Sequence, residues 1–168
     1  MTSPVESPQY TPQLPSSFTD QADRSIEIDS YDGEPEPLIE MYEEFDTGSF
    51  SQGVPPRTRS QIESWVSHLL AEGYNVVAHH DGAPVGHTVM LPHDDTSELA
   101  IFVHPAYQSA GIGTKLIRAV LGYSRAKGLD HVWLTVARDN RIALRLYQSA
   151  GFEIREEKRG ELEMEREL

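Results

Sequence analysis

At 168 residues the chain has room for one domain plus a tail, and a domain of about 150 residues buries close to 70% of its unfolded surface, enough for a core. It contains no cysteine, which excludes disulfides, thiolate zinc sites and a thiol nucleophile. Asp and Glu number 27 against 14 Lys and Arg, a net charge of −13 that argues against a general nucleic-acid binder, whose electrostatic footprint is basic.

The opening MTSPVESPQY lacks the basic start and apolar stretch of a secretory signal. No run approaches the roughly 18 apolar residues of a membrane span. The expectation is a cytoplasmic protein with no membrane partner, either a monomer or a homodimer. The acidity has two explanations, a cationic substrate drawn to the surface or a salt-rich cytoplasm. The acids are spread along the chain and only three basic residues are lysines, Lys115, Lys127 and Lys158, which favours the second.

Residues 1–23 carry prolines at 4, 8, 12 and 15 among Ser, Thr and Gln with little apolar periodicity, so a flexible tail is expected, and a domain over 24–168. Ser25 to Tyr31 alternates as a strand does. Pro37 suits a first helical turn, after which Leu38, Ile39, Met41, Tyr42 and Phe45 give a helix its apolar face. A Gly/Ser/Pro-rich loop, Thr47 to Pro56, precedes a second helix over about 58–72, with Gly73 as its expected C-cap. Tyr74 to His79 and Pro84 to Leu91 flank Asp81-Gly82, a hairpin signal. Glu98 to Val103 is a short apolar strand of the kind found inside a sheet. A helix over about 111–127 buries Ile112, Leu116, Ile117, Val120 and Leu121, and Gly128 closes it. His131 to Ala137 is a further strand. A helix over about 140–150 ends at Gly151, and 152–168 folds back at Arg159-Gly160 as a hairpin. Joining ELAIFV to HVWLTVA through one helix requires a parallel pair with a right-handed crossover. The fold class is therefore α/β, a mixed and mostly antiparallel sheet flanked by helices with one parallel β-α-β unit.

That unit carries the chemistry. Strand, turn, glycines and helix form an arrangement that binds phosphates, because the first N–H groups of a helix lack internal partners and sit at the positive end of its dipole. In Gln108-Ser109-Ala110-Gly111-Ile112-Gly113-Thr114-Lys115, two glycines remove side chains that would block a pyrophosphate, and Thr114 and Lys115 offer a hydroxyl and a cation. A dinucleotide fold needs a third glycine where Leu116 stands. An NTPase loop needs Gly directly before Lys, where Thr114 intervenes. What remains, Q-x-x-G-x-G at 108–113, resembles the pyrophosphate motif of the GNAT superfamily. VHPAYQSAGIGTKLI looks like that superfamily's strand-to-helix unit. LTVARDNRIALRLYQSAGFE looks like its next strand and helix, with Asn140, Ala143, Tyr147, Gly151 and Phe152 at the family spacing N-x-x-A-x-x-x-Y-x-x-x-G-F. The matching stretch is about 98–153. Between Gln108 and Tyr147 there are seven basic residues and two acids, a local cationic excess that suits the phosphates of coenzyme A.

The resemblance implies an N-acetyltransferase that uses acetyl-CoA as co-substrate and acts on a primary amine: a small amine, an amino acid, a protein N-terminus or a lysine. It implies that strands ELAIFV and HVWLTVA splay, with backbone groups of Ile101, Phe102 and Val103 holding the pantetheine arm and an N–H there polarising the thioester, an effect of about 3 kcal/mol on a barrier. Tyr147 matches the tyrosine that protonates the departing thiolate, with packing on its helix as the alternative. Asn140 and Ala143 match positions beside the cofactor, Asn140 being equally suited to cap its helix. Glu98 is a candidate for proton relay from the amine, and His104 is expected to be structural. His79, His80, His87 and His93 lie in one hairpin without a distinctive metal-ligand spacing, so no metal is expected. No G-x-S-x-G elbow is present. A non-catalytic acyl-CoA-binding sensor is the alternative on the same fold. The acceptor's walls are expected at Thr47 to Pro56 and at the Arg159-Gly160 turn.

Overall fold

A computed structural model of the chain describes residues 14–45 and 58–168. The tail expected over 1–23 gives way to structure sooner than the sequence pattern suggests. Ser16–Thr19 is a strand, β1, antiparallel to β2 at Ser25–Ser30 with Phe18 opposite Ile26. Four residues with one large apolar side chain leave too little pattern to recognise. The rest of that tail, 1–13, and the loop Thr47 to Pro56 lie outside the described residues.

Helices α1 (Glu36–Glu43) and α2 (Arg59–Glu72) follow. Thr58 and Gln61 cap α2 reciprocally: Gln61 N–H donates to Thr58 Oγ1 at 3.2 Å, and Thr58 N–H to Gln61 Oε1 at 3.3 Å. Gly73 does cap α2, but with φ −110°, so left-handed backbone is not why glycine stands there. A Cβ would lie 2.5 Å from Val89 Cγ2; the position is glycine because helix end and sheet meet closely.

Strands β3 (Tyr74–His80), β4 (Ala83–His93) and β5 (Thr96–Val103) form a meander. Then come α3 (Ile112–Ala126), β6 (His131–Ala137), α4 (Arg141–Ser149), β7 (Glu153–Lys158) and β8 (Glu161–Glu167). The eight strands make one sheet in the order β1-β2-β3-β4-β5-β6-β8-β7, antiparallel throughout except between β5 and β6. β8 is antiparallel to both β6 and β7, so β7 runs parallel to β6. The crossovers through α3 and α4 therefore step in one direction, and right-handedness puts both helices on one face.

The two cores agree with that geometry. On the α3/α4 face, Leu116, Ile117, Val120 and Leu121 of α3 and Ala143 and Tyr147 of α4 pack on Ile101, Val132, Leu134 and Met164. On the other face, Leu38, Tyr42, Ile62 and Val66 of α1 and α2 pack on Val77 and Phe102. No helix among the described residues is long and apolar enough to cross a membrane.

Candidate active site

The parallel pair that the connection demanded is short. β5 and β6 are in register only at Ser97↔Val132 and Glu98↔Trp133, after which the strands part. The opening leads into a cleft of about 780 Å³ between the C-terminal half of β5, the loop before α3, and α4. A parallel sheet ending in a gap is where an α/β protein places a ligand, since helix N-termini gather there.

Gly111 is the N-cap of α3 and has φ +91°, a left-handed conformation that disfavours any side chain. The preceding Ser109 also has positive φ, 60°, so the chain turns sharply twice within three residues. The first backbone donor that reaches back within α3 is Lys115 N, 3.4 Å from Gly111 O. The N–H groups of Ile112, Gly113 and Thr114 precede it at the positive end of the helix. A Cβ on Gly113 would sit 3.5 Å from Leu146 Cδ2 and 3.9 Å from Val103 Cγ2, filling the gap between α4 and β5.

The cleft is lined by Ile101, Val103, Gln108, Ser109, Gly111, Ile112, Gly113, Thr114, Asn140 and Ala143 from the residues expected on sequence. Gln108 Nε2 donates to Val103 O at 3.0 Å, tying the loop to the strand it leaves. Asn140 lines the cleft and caps α4, its side-chain oxygen accepting from Ala143 N at 3.1 Å. Four of the residues expected at the cofactor lie elsewhere. Ala110 is buried and its carbonyl accepts from Gln21 N at 3.0 Å. Phe102 alternates with Ile101 and Val103 and packs on the opposite face with Tyr42 and Trp65. Lys115 is exposed, its Nζ 5.5 Å from the Phe18 ring centroid, because α3 turns that position towards β1. Tyr147 is fully buried, its ring edge-on to Phe152 at 6.0 Å, and burial pushes its phenol well above the ordinary tyrosine range.

Glu98 occupies the last paired position of the parallel ladder, half-buried, and partial burial raises its carboxyl above the usual carboxylate range. By strand alternation it shares a face with Ala100 and Phe102, the face opposite the α3 core. His104 ties the end of β5 to its surroundings. Its Nδ1 accepts from Ala106 N at 3.0 Å and its Nε2 faces Glu44 at the end of α1. The Arg159-Gly160 turn is exposed, with both residues at positive φ, and its Gly160 carbonyl accepts from Arg138 N at 2.8 Å.

Sequence reasoning missed Tyr107, Ala137, Asp139, Ile142, Leu146 and Ser149 in the lining, and counted Arg145 only as part of the basic excess. Ile142 was the legible one. It is 75% exposed on the first turn of α4, on the side of that helix facing the cleft.

A family model described as the acetyltransferase (GNAT) family matches residues 36–152. The [ribosomal protein bS18]-alanine N-acetyltransferase of Haemophilus ducreyi is 37% identical over 59 residues, 35% of this chain and 41% of that protein. The chain thus spans less than half the length of that relative. Among solved structures, the GNAT domain of S. lividans PAT superposes with a TM-score of 0.79 at 16% identity, covering 95% of this chain and all of that one. A putative acetyltransferase, yncA from Salmonella typhimurium, solved with its cofactor acetyl-CoA, has a TM-score of 0.67 at 19% identity, covering 84% and 93%. The match spans well over half of the chain and includes the glycine loop, the parting strands and α4. The chain belongs to the acetyltransferase (GNAT) family.

Proposed function

We propose that the protein is an N-acetyltransferase that uses acetyl-CoA and acetylates a primary amine. The observation that carries this reading is the parting of β5 and β6 beyond Glu98↔Trp133 beside a glycine-lined helix N-terminus. The residues present suit acetyl-CoA. Gly113 carries no side chain between Leu146 and Val103, and Ile101, Val103, Ile142 and Leu146 give the cleft apolar walls for a long flexible arm.

Acetyl-CoA supplies an acyl group activated as a thioester. The amides of Ile112, Gly113 and Thr114 bind its pyrophosphate at the positive end of α3, and Arg145 on the cleft rim adds a cation. The backbone of Ile101, Phe102 and Val103, beyond the last rung shared with β6, aligns the arm and directs an N–H at the carbonyl. Asn140 and Ala143 fix the start of α4 against it.

Glu98, with its carboxyl raised by partial burial, is better matched to accept a proton from an ammonium than an exposed glutamate is. Tyr147 is a neutral phenol, the form a proton donor needs, although burial raises its pKa and makes it a weaker acid. The acceptor is a primary amine, and the similarity to a ribosomal-protein alanine acetyltransferase puts a protein N-terminus among the first to try. The test is release of free CoA thiol from acetyl-CoA with a panel of a diamine, single amino acids, an alanine-initiated peptide and a lysine peptide. Saturable turnover with at least one acceptor is expected. Binding of acetyl-CoA without turnover on any acceptor would overturn the enzymatic reading.

A further inference from the structure

The loop that forms the cofactor cradle is held from outside by the turn joining β1 to β2. Asp20 organises that turn. Its Oδ1 accepts from Ala22 N and Arg24 N, both at 2.9 Å, and its Oδ2 from Arg24 Nε at 2.8 Å. Asp20 N also donates to Arg24 O at 2.9 Å, so the turn is closed on itself.

From this rigid turn two bonds reach the cradle. Arg24 Nη1 donates to Ala106 O at 3.1 Å, and Gln21 N donates to Ala110 O at 3.0 Å. The two carbonyls bracket the loop that precedes α3. The Arg24 guanidinium also lies 4.0 Å from the centroid of the Tyr107 ring, and Tyr107 lines the cleft. The far end of that ring is fixed as well, its Oη 2.7 Å from His80 Nδ1.

The consequence for phosphate binding follows from peptide geometry. In a trans peptide the C=O and N–H point in opposite directions. Holding Ala110 O on Gln21 therefore aims Gly111 N–H away from the turn. The positive φ at Ser109, a non-glycine residue, makes this loop costly to keep in shape unless its surroundings over-determine it. A loop that reaches its binding shape only part of the time binds more weakly in proportion to that fraction.

We propose that the Asp20–Arg24 turn is a positioning element of the cofactor cradle, with Arg24 holding the loop in its binding shape before acetyl-CoA arrives. This rests on the acetyl-CoA reading of the site. Arg24 is not among the residues that line the cleft, and it acts through Ala106 and Tyr107. Asp20 acts one step further out, by fixing the guanidinium.

The test compares the parent with Arg24→Ala and Arg24→Lys in the full chain. Acetyl-CoA titration by calorimetry, steady-state kinetics and amide hydrogen exchange over 106–113 are the readouts. Arg24→Ala is expected to raise the acetyl-CoA Kd and KM about tenfold, with kcat at saturation within twofold of the parent. Exchange over 106–113 should be faster without ligand and return to the parental pattern when acetyl-CoA saturates. Arg24→Lys keeps the charge and the contact with the ring but cannot serve Asp20 and Ala106 together, so it should remain at least fivefold weaker than the parent. Full recovery in the lysine variant would reduce Arg24 to a point charge and overturn the proposal, as would a folded Arg24→Ala with parental Kd and exchange. Should Arg24→Ala fail to fold, Arg24→Lys carries the test by the same criteria. A parent that does not bind acetyl-CoA would sink the functional reading instead, and exchange over 106–113 in the unliganded proteins would still decide the brace.

Discussion

Tyr42 Oη lies 2.6 Å from His87 Nδ1 in the buried layer between α1 and the sheet. On the other side of the imidazole, Nε2 is 2.8 Å from Asn75 Oδ1, and Asn75 spends its amide protons on Leu69 O and Gly73 O. Donors and acceptors can be assigned around the whole chain of bonds. Asn75 Oδ1 must accept, so Nε2 carries the proton and Nδ1 accepts from the Tyr42 hydroxyl. The ring is neutral, and complete burial lowers its pKa to about 3. One network thus joins α1, the end of α2, β3 and β4.

The sign of the resulting pH effect is fixed. Between pH 6.5 and about 3 the unfolded chain protonates His87 and the native state does not. The unfolded state then binds more protons, and stability falls as pH falls, by up to about 1.4 kcal/mol per pH unit from this group. Above pH 6.5 its contribution is fully present. Urea midpoints from pH 4 to 8 should show this slope in the parent and lose that part of it in His87→Gln. Tyr42→Phe strands a buried acceptor and should cost about 1–3 kcal/mol at neutral pH. Equal slopes in parent and His87→Gln would mean that His87 is not the group responsible.

The cradle prediction concerns Gly111 and Gly113. Gly111→Glu must hold a bulky residue at φ +91° and set a carboxylate beside the phosphates. Gly113→Glu has ordinary backbone room but projects between Leu146 and Val103 into the cleft. Both should weaken acetyl-CoA binding by well over tenfold, on the order of 1.4 kcal/mol or more, and Gly111→Glu should also lower the melting temperature. Calorimetry on folded variants is the check. Parental affinity in Gly113→Glu would remove the pyrophosphate from this helix end.

Much of this site could be read in the sequence because its signals are local. Glycine at positive φ, a strand that ends at His104-Pro105 and an amphipathic α3 each act within a few residues. The spacing that ends in Tyr147, Gly151 and Phe152 is also local. Gly151 N donates to Gln148 O and Phe152 N to Tyr147 O, each at 3.0 Å, with the two rings in contact. That is a Schellman helix end with its hydrophobic closure, and it places Tyr147 in the core whatever its chemistry. What could not be read depends on distant pairs. The hold of Arg24 on Ala106 spans 82 residues, and the cap of Asp20 on its own turn gives no hint of it. The short register of β5 with β6 is likewise a sheet property, absent from either strand alone.

Tyr147→Phe separates the two roles of that residue. The ring and the helix end survive, so the fold and the acetyl-CoA Kd should be unchanged. If the phenol donates a proton, turnover should fall about 10²-fold where chemistry limits the rate. An unchanged rate constant under those conditions would leave Tyr147 as the closing residue of α4 alone.

Glu98→Gln addresses the proton acceptor. A carboxyl raised by burial places the acidic limb of kcat/KM above the ordinary glutamate value, with activity rising as Glu98 ionises. In Glu98→Gln that limb should disappear or move, and kcat should drop about 10²-fold. A variant with the same limb and a similar kcat would assign the limb to another group.

The acidic surface has its clearest structural expression at the edge of the sheet. In the β7–β8 hairpin Glu153 stands opposite Glu165 and Glu156 opposite Glu163. Like charges directly across a strand pair destabilise it. Relief is partial: Glu165 is 2.9 Å from His131 and 3.3 Å from Arg155, and Glu163 is 4.0 Å from Arg155. If the net charge of −13 is an adaptation to a salty solvent, this hairpin should gain most from screening. The screening length falls from about 30 Å at 0.01 M salt to about 3 Å at 1 M. The melting temperature should then rise with KCl, amide exchange over 153–167 should slow ahead of the rest, and turnover should persist at molar salt. If the charge instead gathers a cationic acceptor, stability should be nearly flat in KCl. The acceptor's KM should climb steeply while that of an uncharged amine hardly moves. One KCl series with both readouts decides between them. Equal stability at 0.05 M and 2 M KCl would rule out solvent adaptation and leave the acidic face to the acceptor.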